Sequence, residues 1–147
     1  TAIVQGSENA SFQVRKVNQA RLGVYLKDKP FGGGVGSAGY WGKRFTPGTF
    51  LADLALDSWY VKIWAEYGIF GLTSYGFMLA FLILISIRTI QAETDPDHYQ
   101  LLLALLSGFT GILMASYGNQ VLGQLPTGVI IPISLLYLVR SRKEIAS

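Results

Sequence analysis

The chain contains no cysteine and a single histidine, His98. Without thiols there is no disulfide framework and no thiolate metal site. There is no initiator Met, and no segment with the charged start and short apolar core of a signal peptide. The chain opens at Thr1, which reads as a piece of a longer protein. Charge is missing over one long stretch: residues 67–87 carry none. Acid is the scarcer sign ahead of that stretch, where residues 1–66 hold eight Lys/Arg against five Asp/Glu, a net of +3.

What is present is apolar. Half of the 147 residues are hydrophobic and the mean hydropathy is +0.36, high for a soluble domain of this length. Residues 68–87 read GIFGLTSYGFMLAFLILISI. Twenty residues at a helical rise of about 1.5 Å span about 30 Å, the hydrocarbon thickness of a bilayer. Two more apolar runs follow at 101–117 and 121–139. Each is near the minimum spanning length. Only Gly118, Asn119 and Gln120 separate them, so they are expected to form an antiparallel hairpin. Pro126 and Pro132 are expected to kink or delay the last helix, because proline lacks the backbone donor and clashes with the preceding turn.

These runs predict an all-α membrane protein: a helical extramembrane segment at 1–66, then three transmembrane helices within 67–147. Lys and Arg near span ends mark the cytoplasmic side. Arg88 follows the first span, and Arg140, Arg142 and Lys143 follow the third. An up-down-up path puts all four together. The linker 88–99 and tail 140–147 are then cytoplasmic, and residues 1–66 extracytoplasmic. His98 falls in that linker and is expected to be a solvated loop residue.

Within the first segment, residues 11–29 suit a helix, with Val14, Val17, Val24 and Tyr25 at roughly helical spacing and Pro30 as the stop. Arg15 and Arg21 flank one broad face. A basic amphipathic helix lying on lipid headgroups accounts for this pattern without any catalysis. The glycine-rich PFGGGVGSAG contains G-x-G-x-x-G, but no strand precedes it and no helix signal follows, so it is not a dinucleotide fingerprint. Nor is it a phosphate-binding Walker loop, because Lys43 is followed by Arg44. A flexible connector and an anion-binding nest of N–H groups both remain open. A further helix is expected from Thr49 or Asp53, running without a break through ALDSWYVKIWAEYGIFGL into the span. Trp59, Tyr60, Trp64 and Tyr67 fit an interfacial aromatic belt. Asp57 reads as a helix N-cap or a buried functional acid, with the cap favoured.

An arginine-bearing helix, then P-F-G-G-G-V-G, then D-S-W-Y-V-K-I-W-A-E-Y-G-I-F-G-L opening a span resembles the C-terminal part of the O-antigen ligase/polymerase family. Residues 12–87 follow the family's order of Arg, Pro-x-x-Gly-x-Gly, His-Asn and Glu-x-Gly-x-x-Gly. The resemblance implies a C-terminal piece of a multi-pass GT-C-like glycosyltransferase in the bacterial inner membrane, with residues 1–66 periplasmic. It implies undecaprenyl-diphosphate-linked oligosaccharide as donor and a glycan or lipid A-core as acceptor. It implies no cofactor, no metal and no nucleic-acid partner; membrane lipids are the surroundings. By the same resemblance Arg15 and Arg21 contact the diphosphate, Gly34 and Gly36 form the Gly-x-Gly, and Glu66, Gly68 and Gly71 form the Glu-x-Gly-x-x-Gly. Asp57 and Ser58 stand where the family has His-Asn, which makes Asp57 the candidate catalytic base and Ser58 a substrate-binding neighbour. A carboxylate can take a proton from an acceptor hydroxyl, but it is a weaker base than imidazole. Guanidinium groups suit the leaving diphosphate, which they bind two-pronged and stabilise as charge develops.

Two other readings compete. A membrane-anchored accessory or scaffold protein would use the same helices without chemistry. A transporter fragment would explain the prolines of the third span, but its helices lack the charges that ion coupling uses.

Overall fold

The computed structural model describes residues 2–145, with side chains from 12 to 141. Among these residues the chain is all helical, with no strand. Six α-helices follow in order: α1 Ala2–Leu26, α2 Gly39–Phe45, α3 Phe50–Asp53, α4 Trp59–Ala92, α5 Pro96–Gly118 and α6 Thr127–Ile145, with a 3-10 turn at Val121–Gly123 before the last. The helices group into two compact units, one ending at Thr73 and the other beginning at Ser74.

In the first unit, Leu22 and Leu26 of α1 pack with Ala38, Leu51, Leu54, Leu56 and Ala65. Tyr25, Val61 and Trp64 cover the edge of this cluster. Fully burying a leucine such as Leu22 or Leu51 stabilises by about 1.5–3 kcal/mol. The inward stripe of α1 is therefore Leu22 and Leu26, one turn apart. Val14, Val17 and Val24, which recur at roughly helical spacing, are exposed. The valines share a helical period with one another but not with the leucines, and the larger side chains take the core.

The expected unbroken helix from Thr49 or Asp53 into the span does not form. α3 stops at Asp53, residues 54–58 run without helix, and α4 begins at Trp59. Leu54 and Leu56 explain the gap, since an extended backbone sends alternate side chains to one face and both leucines reach the core. A second break lies inside α4 at Gly68, whose φ of 68° and ψ of −164° are not helical.

In the second unit, Ile90 of α4, Leu102 of α5 and Leu138 of α6 form the core, with Leu105, Leu106 and Leu135 packed against it. α4 and α5 are long and apolar enough to cross a membrane. Only 6% and 22% of their most apolar windows are buried within the chain, whereas the core helix of a soluble protein would be mostly covered. Where a third span was expected, α6 begins only at Thr127, after a turn through Pro126. α4 continues to Ala92 and α5 starts at Pro96, leaving residues 93–95 between them.

Candidate functional site at the head of α4

Arg15, Asn18 and Leu22 lie along one side of α1 at i, i+3 and i+7. Segment 54–58 passes this side in the opposite direction. Asn18 Nδ2 donates to the Ala55 carbonyl at 3.2 Å, and Arg15 Nε donates to Asp57 Oδ2 at 3.3 Å. As the number on α1 rises, the number of its partner falls, so the two run antiparallel. The core leucines set this register. Arg15 and Asp57, 42 positions apart, thereby meet as an ion pair. Both side chains are about half exposed (48% and 55%), so the pair contributes only about 0–1 kcal/mol to the fold. It uses one of the guanidinium's five N–H donors.

Asp57 is thus neither a helix N-cap nor buried. It lies one residue further out than the cap position. Ser58 precedes the first helical residue, and its carbonyl accepts the Lys62 N–H at 3.0 Å. The Ser58 side chain turns inward. Ser58 Oγ and Glu66 Oε1 are both buried without a hydrogen-bond partner among the described residues, each residue being 7% exposed. A buried polar group left unpaired costs about 1–3 kcal/mol.

The glycine loop closes on the break in α4. A helix interrupted at Gly68 leaves carbonyls in the preceding turn short of partners. Those of Ala65 and Glu66 accept the N–H groups of Gly33 and Gly34 at 2.9 and 3.0 Å. The approach is too close for side chains. A Cβ on Gly68 would lie 2.0 Å from the Pro30 oxygen, and one on Gly32 would lie 2.5 Å from the Glu66 oxygen. Both residues also have positive φ, 68° and 79°, which β-carbons oppose. Ser37 finishes the loop by donating its Oγ–H to the Gly34 carbonyl at 2.6 Å. The loop is therefore neither a free connector nor, at Gly33 and Gly34, an open nest. It is a backbone clamp, with Gly36 beyond it.

Arg21 does not join the ion pair. It lines a separate hollow of about 590 Å³ with Ala20, Val24, Tyr25 and Phe50, where Tyr25 and Phe50 stack at 4.7 Å. Among the described residues no group of three or more His, Cys, Asp or Glu side chains is gathered in a metal-binding arrangement.

A second polar cluster lies in the other unit, where sequence reasoning missed it. His98 is not a solvated loop residue. Its Nδ1 contacts Glu93 Oε2, and its Nε2 lies 3.0 Å from the Tyr137 hydroxyl of α6. Glu93 Oε1 also accepts the backbone N–H groups of Asp95 and Thr94. The Asp95 N–H is the largest influence holding the Glu93 carboxyl below its ordinary value; burial opposes it, and His98 and the Thr94 N–H reinforce it. The signal was in the sequence: Asp95-Pro96 is a helix start, with the Asp95 side chain accepting the His98 N–H and Pro96 in the first turn. Once helix α5 starts there, His98 falls within its first turn.

No family model matches the chain, and no curated protein or solved structure is significantly similar to it.

Proposed function

We propose that this chain is part of a membrane glycosyltransferase of the O-antigen ligase/polymerase kind, acting at the periplasmic face on a glycan carried by undecaprenyl diphosphate. The observation that carries the reading is the apposition of Arg15 and Asp57. A cation and a carboxylate from distant parts of the chain meet, half exposed, just ahead of an apolar helix of spanning length. Their pairing adds little to stability, so it has room for another purpose.

The chemistry follows from the pair. A diphosphate offers more negative charge and a two-pronged partner, and it competes with Asp57 for the guanidinium. As Arg15 turns to the phosphate, Asp57 is released to accept a proton from the acceptor hydroxyl. Arg15 then stabilises the departing diphosphate as the glycosidic bond forms. The donor thereby arms the base, and without donor the base stays paired. Arg21, at the edge of an apolar hollow, offers a second cation to the same amphiphilic donor. Ser58, just before α4, and Glu66 within it supply unpaired polar atoms. Gly34 and Gly36 act through the loop that fixes the head of α4. Three crossings, by α4, α5 and α6, complete the membrane part, with the head of α4 outside the cytoplasm.

The test is made in the cell that produces the protein. Arg15→Ala and Asp57→Asn are each expected to remove long surface glycan and to accumulate lipid-linked oligosaccharide, while the protein still inserts in the membrane. The exchange Arg15→Asp with Asp57→Arg rebuilds an ion pair without rebuilding the chemistry, and is expected to stay inactive. Normal glycan in the Arg15→Ala strain would refute the reading, and rescue by the exchange would reduce the pair to a structural contact.

A further inference from the structure

α2 is built inside out. Its sequence is GYWGKRF, and the residues turned toward the protein are small. Gly42 is buried so tightly that a Cβ would lie 2.1 Å from the Ser37 oxygen and 3.2 Å from Ala52 Cα. The large residues point away: Tyr40, Trp41 and Phe45 are 68%, 50% and 69% exposed. Phe31 and Val35 in the preceding loop are also exposed. Such a group of outward aromatics runs against the usual gain from burial and marks an interaction surface.

Two observations say what covers it. The first is charge. Lys43 and Arg44 form the last turn of α2, and this helix carries no acid. Arg44 Nη1 donates to the Tyr40 hydroxyl at 3.4 Å, and Trp41 stacks on Phe45 at 5.8 Å. Trp, Tyr and Phe beside Lys and Arg are the composition of a surface that sits at the headgroup boundary of a bilayer. The second is continuity. Phe31 stacks on Phe70 at 5.2 Å, and Phe70 is itself exposed two residues after the Gly68 break, where the apolar span begins. The loop bonds Gly33 and Gly34 to the carbonyls just before that break. Leu51 touches the Gly33 position and Ala52 the Gly42 position, so α3 underlies both loop and helix. The exposed aromatics thus connect to the point where α4 becomes apolar.

We propose that α2 and the 31–35 loop form an interfacial foot. Trp41, Tyr40 and Phe45 enter the boundary between headgroups and acyl chains of the bilayer that α4 crosses, and Lys43 and Arg44 pair with lipid phosphates. The foot fixes the height of the first unit above the membrane. It rests on the membrane reading of α4 and not on the transferase reading.

The test uses the whole chain in phosphatidylcholine–phosphatidylglycerol vesicles, with Trp59→Phe and Trp64→Phe leaving Trp41 as the single tryptophan. Lipids brominated near the headgroup end of the acyl chain are expected to quench Trp41 at least about twofold more than lipids brominated near the methyl end, as a helix buried about 5–10 Å into the boundary requires. Iodide is expected to quench it weakly. Free iodide quenching with no bromolipid effect would overturn the proposal. Protection from both would overturn it as well, because protein would then be the cover. A companion chain with Trp41→Phe, Trp59→Phe, Trp64→Phe and Phe77→Trp reports on α4. Deep quenching there without shallow quenching of Trp41 sinks the foot alone; no bromolipid quenching in either chain sinks the membrane reading and the foot with it. Should the tryptophan replacements disturb folding, Tyr40→Cys carrying a small fluorophore in the otherwise unchanged, cysteine-free chain reads the same depth by the same quenchers.

Discussion

At Gly68 two demands coincide. The backbone is in the left-handed region, and the Pro30 carbonyl occupies the space of a side chain. Gly68→Ala is expected to cost more than about 2 kcal/mol in a chemical unfolding series in detergent, since strain and clash add. Gly76 lies in helical backbone with nothing near its missing Cβ, and Gly76→Ala is expected to be neutral or stabilising by up to about 1 kcal/mol. Glu93 gives a pH signature. Its folded value lies below the unfolded one, so its carboxylate stabilises the α4–α5 corner above about pH 4.5 and stops doing so as acid protonates it below that point. Melting temperature followed down through this window is expected to fall in the native chain and to fall less in Glu93→Gln. These residues also show what a linear reading can reach. The Gly-rich loop and the Glu-x-Gly were legible as motifs in order along the chain, with no contact between them expected. That the loop spends its N–H groups on carbonyls of the helix was not, because the break at Gly68 creates those acceptors only in three dimensions.

At the scale of elements, the long apolar helices were the most legible part. A stretch of twenty uncharged residues leaves few alternatives, and α4 and α5 formed where expected. Helix ends were less legible. The gap at 54–58 arises because Leu54 and Leu56 serve the core better from extended backbone than from a helix, and no local propensity announces it. On α1 the helical spacing of Val14 and Val17 was legible, but not that only Leu22 and Leu26 meet a partner within the chain. This assigns different weights to the two sets. Leu22→Ala is expected to cost about 2–5 kcal/mol by the same unfolding measurement, and Val14→Ala almost nothing. The Arg15–Asp57 apposition depends on this register, so Leu22→Ala is expected to weaken the site without touching either charged residue.

For the whole molecule, the absence of cysteine makes topology directly testable, since any introduced thiol is the only one. If α4 and α5 each cross the bilayer, Asp53→Cys and Gln124→Cys react with an impermeant maleimide from one side and Gln91→Cys from the other. Reaction of all three from one side would remove the membrane path. The sequence reading put Arg15, Arg21 and Asp57 in one site, of which only Arg15 and Asp57 meet; in the Glu93–His98–Tyr137 cluster the helix start at Asp95-Pro96 was legible locally, but the contact to Tyr137, 39 positions on, was not.

The backbone clamp between the glycine loop and the broken helix has a mechanical consequence. Residues 69–87 form a rod of about 28 Å, close to the thickness of the hydrocarbon layer it would cross. Such a rod answers a thicker or thinner bilayer by changing its tilt or stretching the lipid around it. At Gly68 the rod does not end in a loose tether. The turn just before it is fastened by its Ala65 and Glu66 carbonyls to Gly33 and Gly34, and through the loop to the layer of α3 beneath. If α4 crosses the bilayer, lipid chain length therefore bears on the joint at Gly68, and through it on the glycine loop and α3.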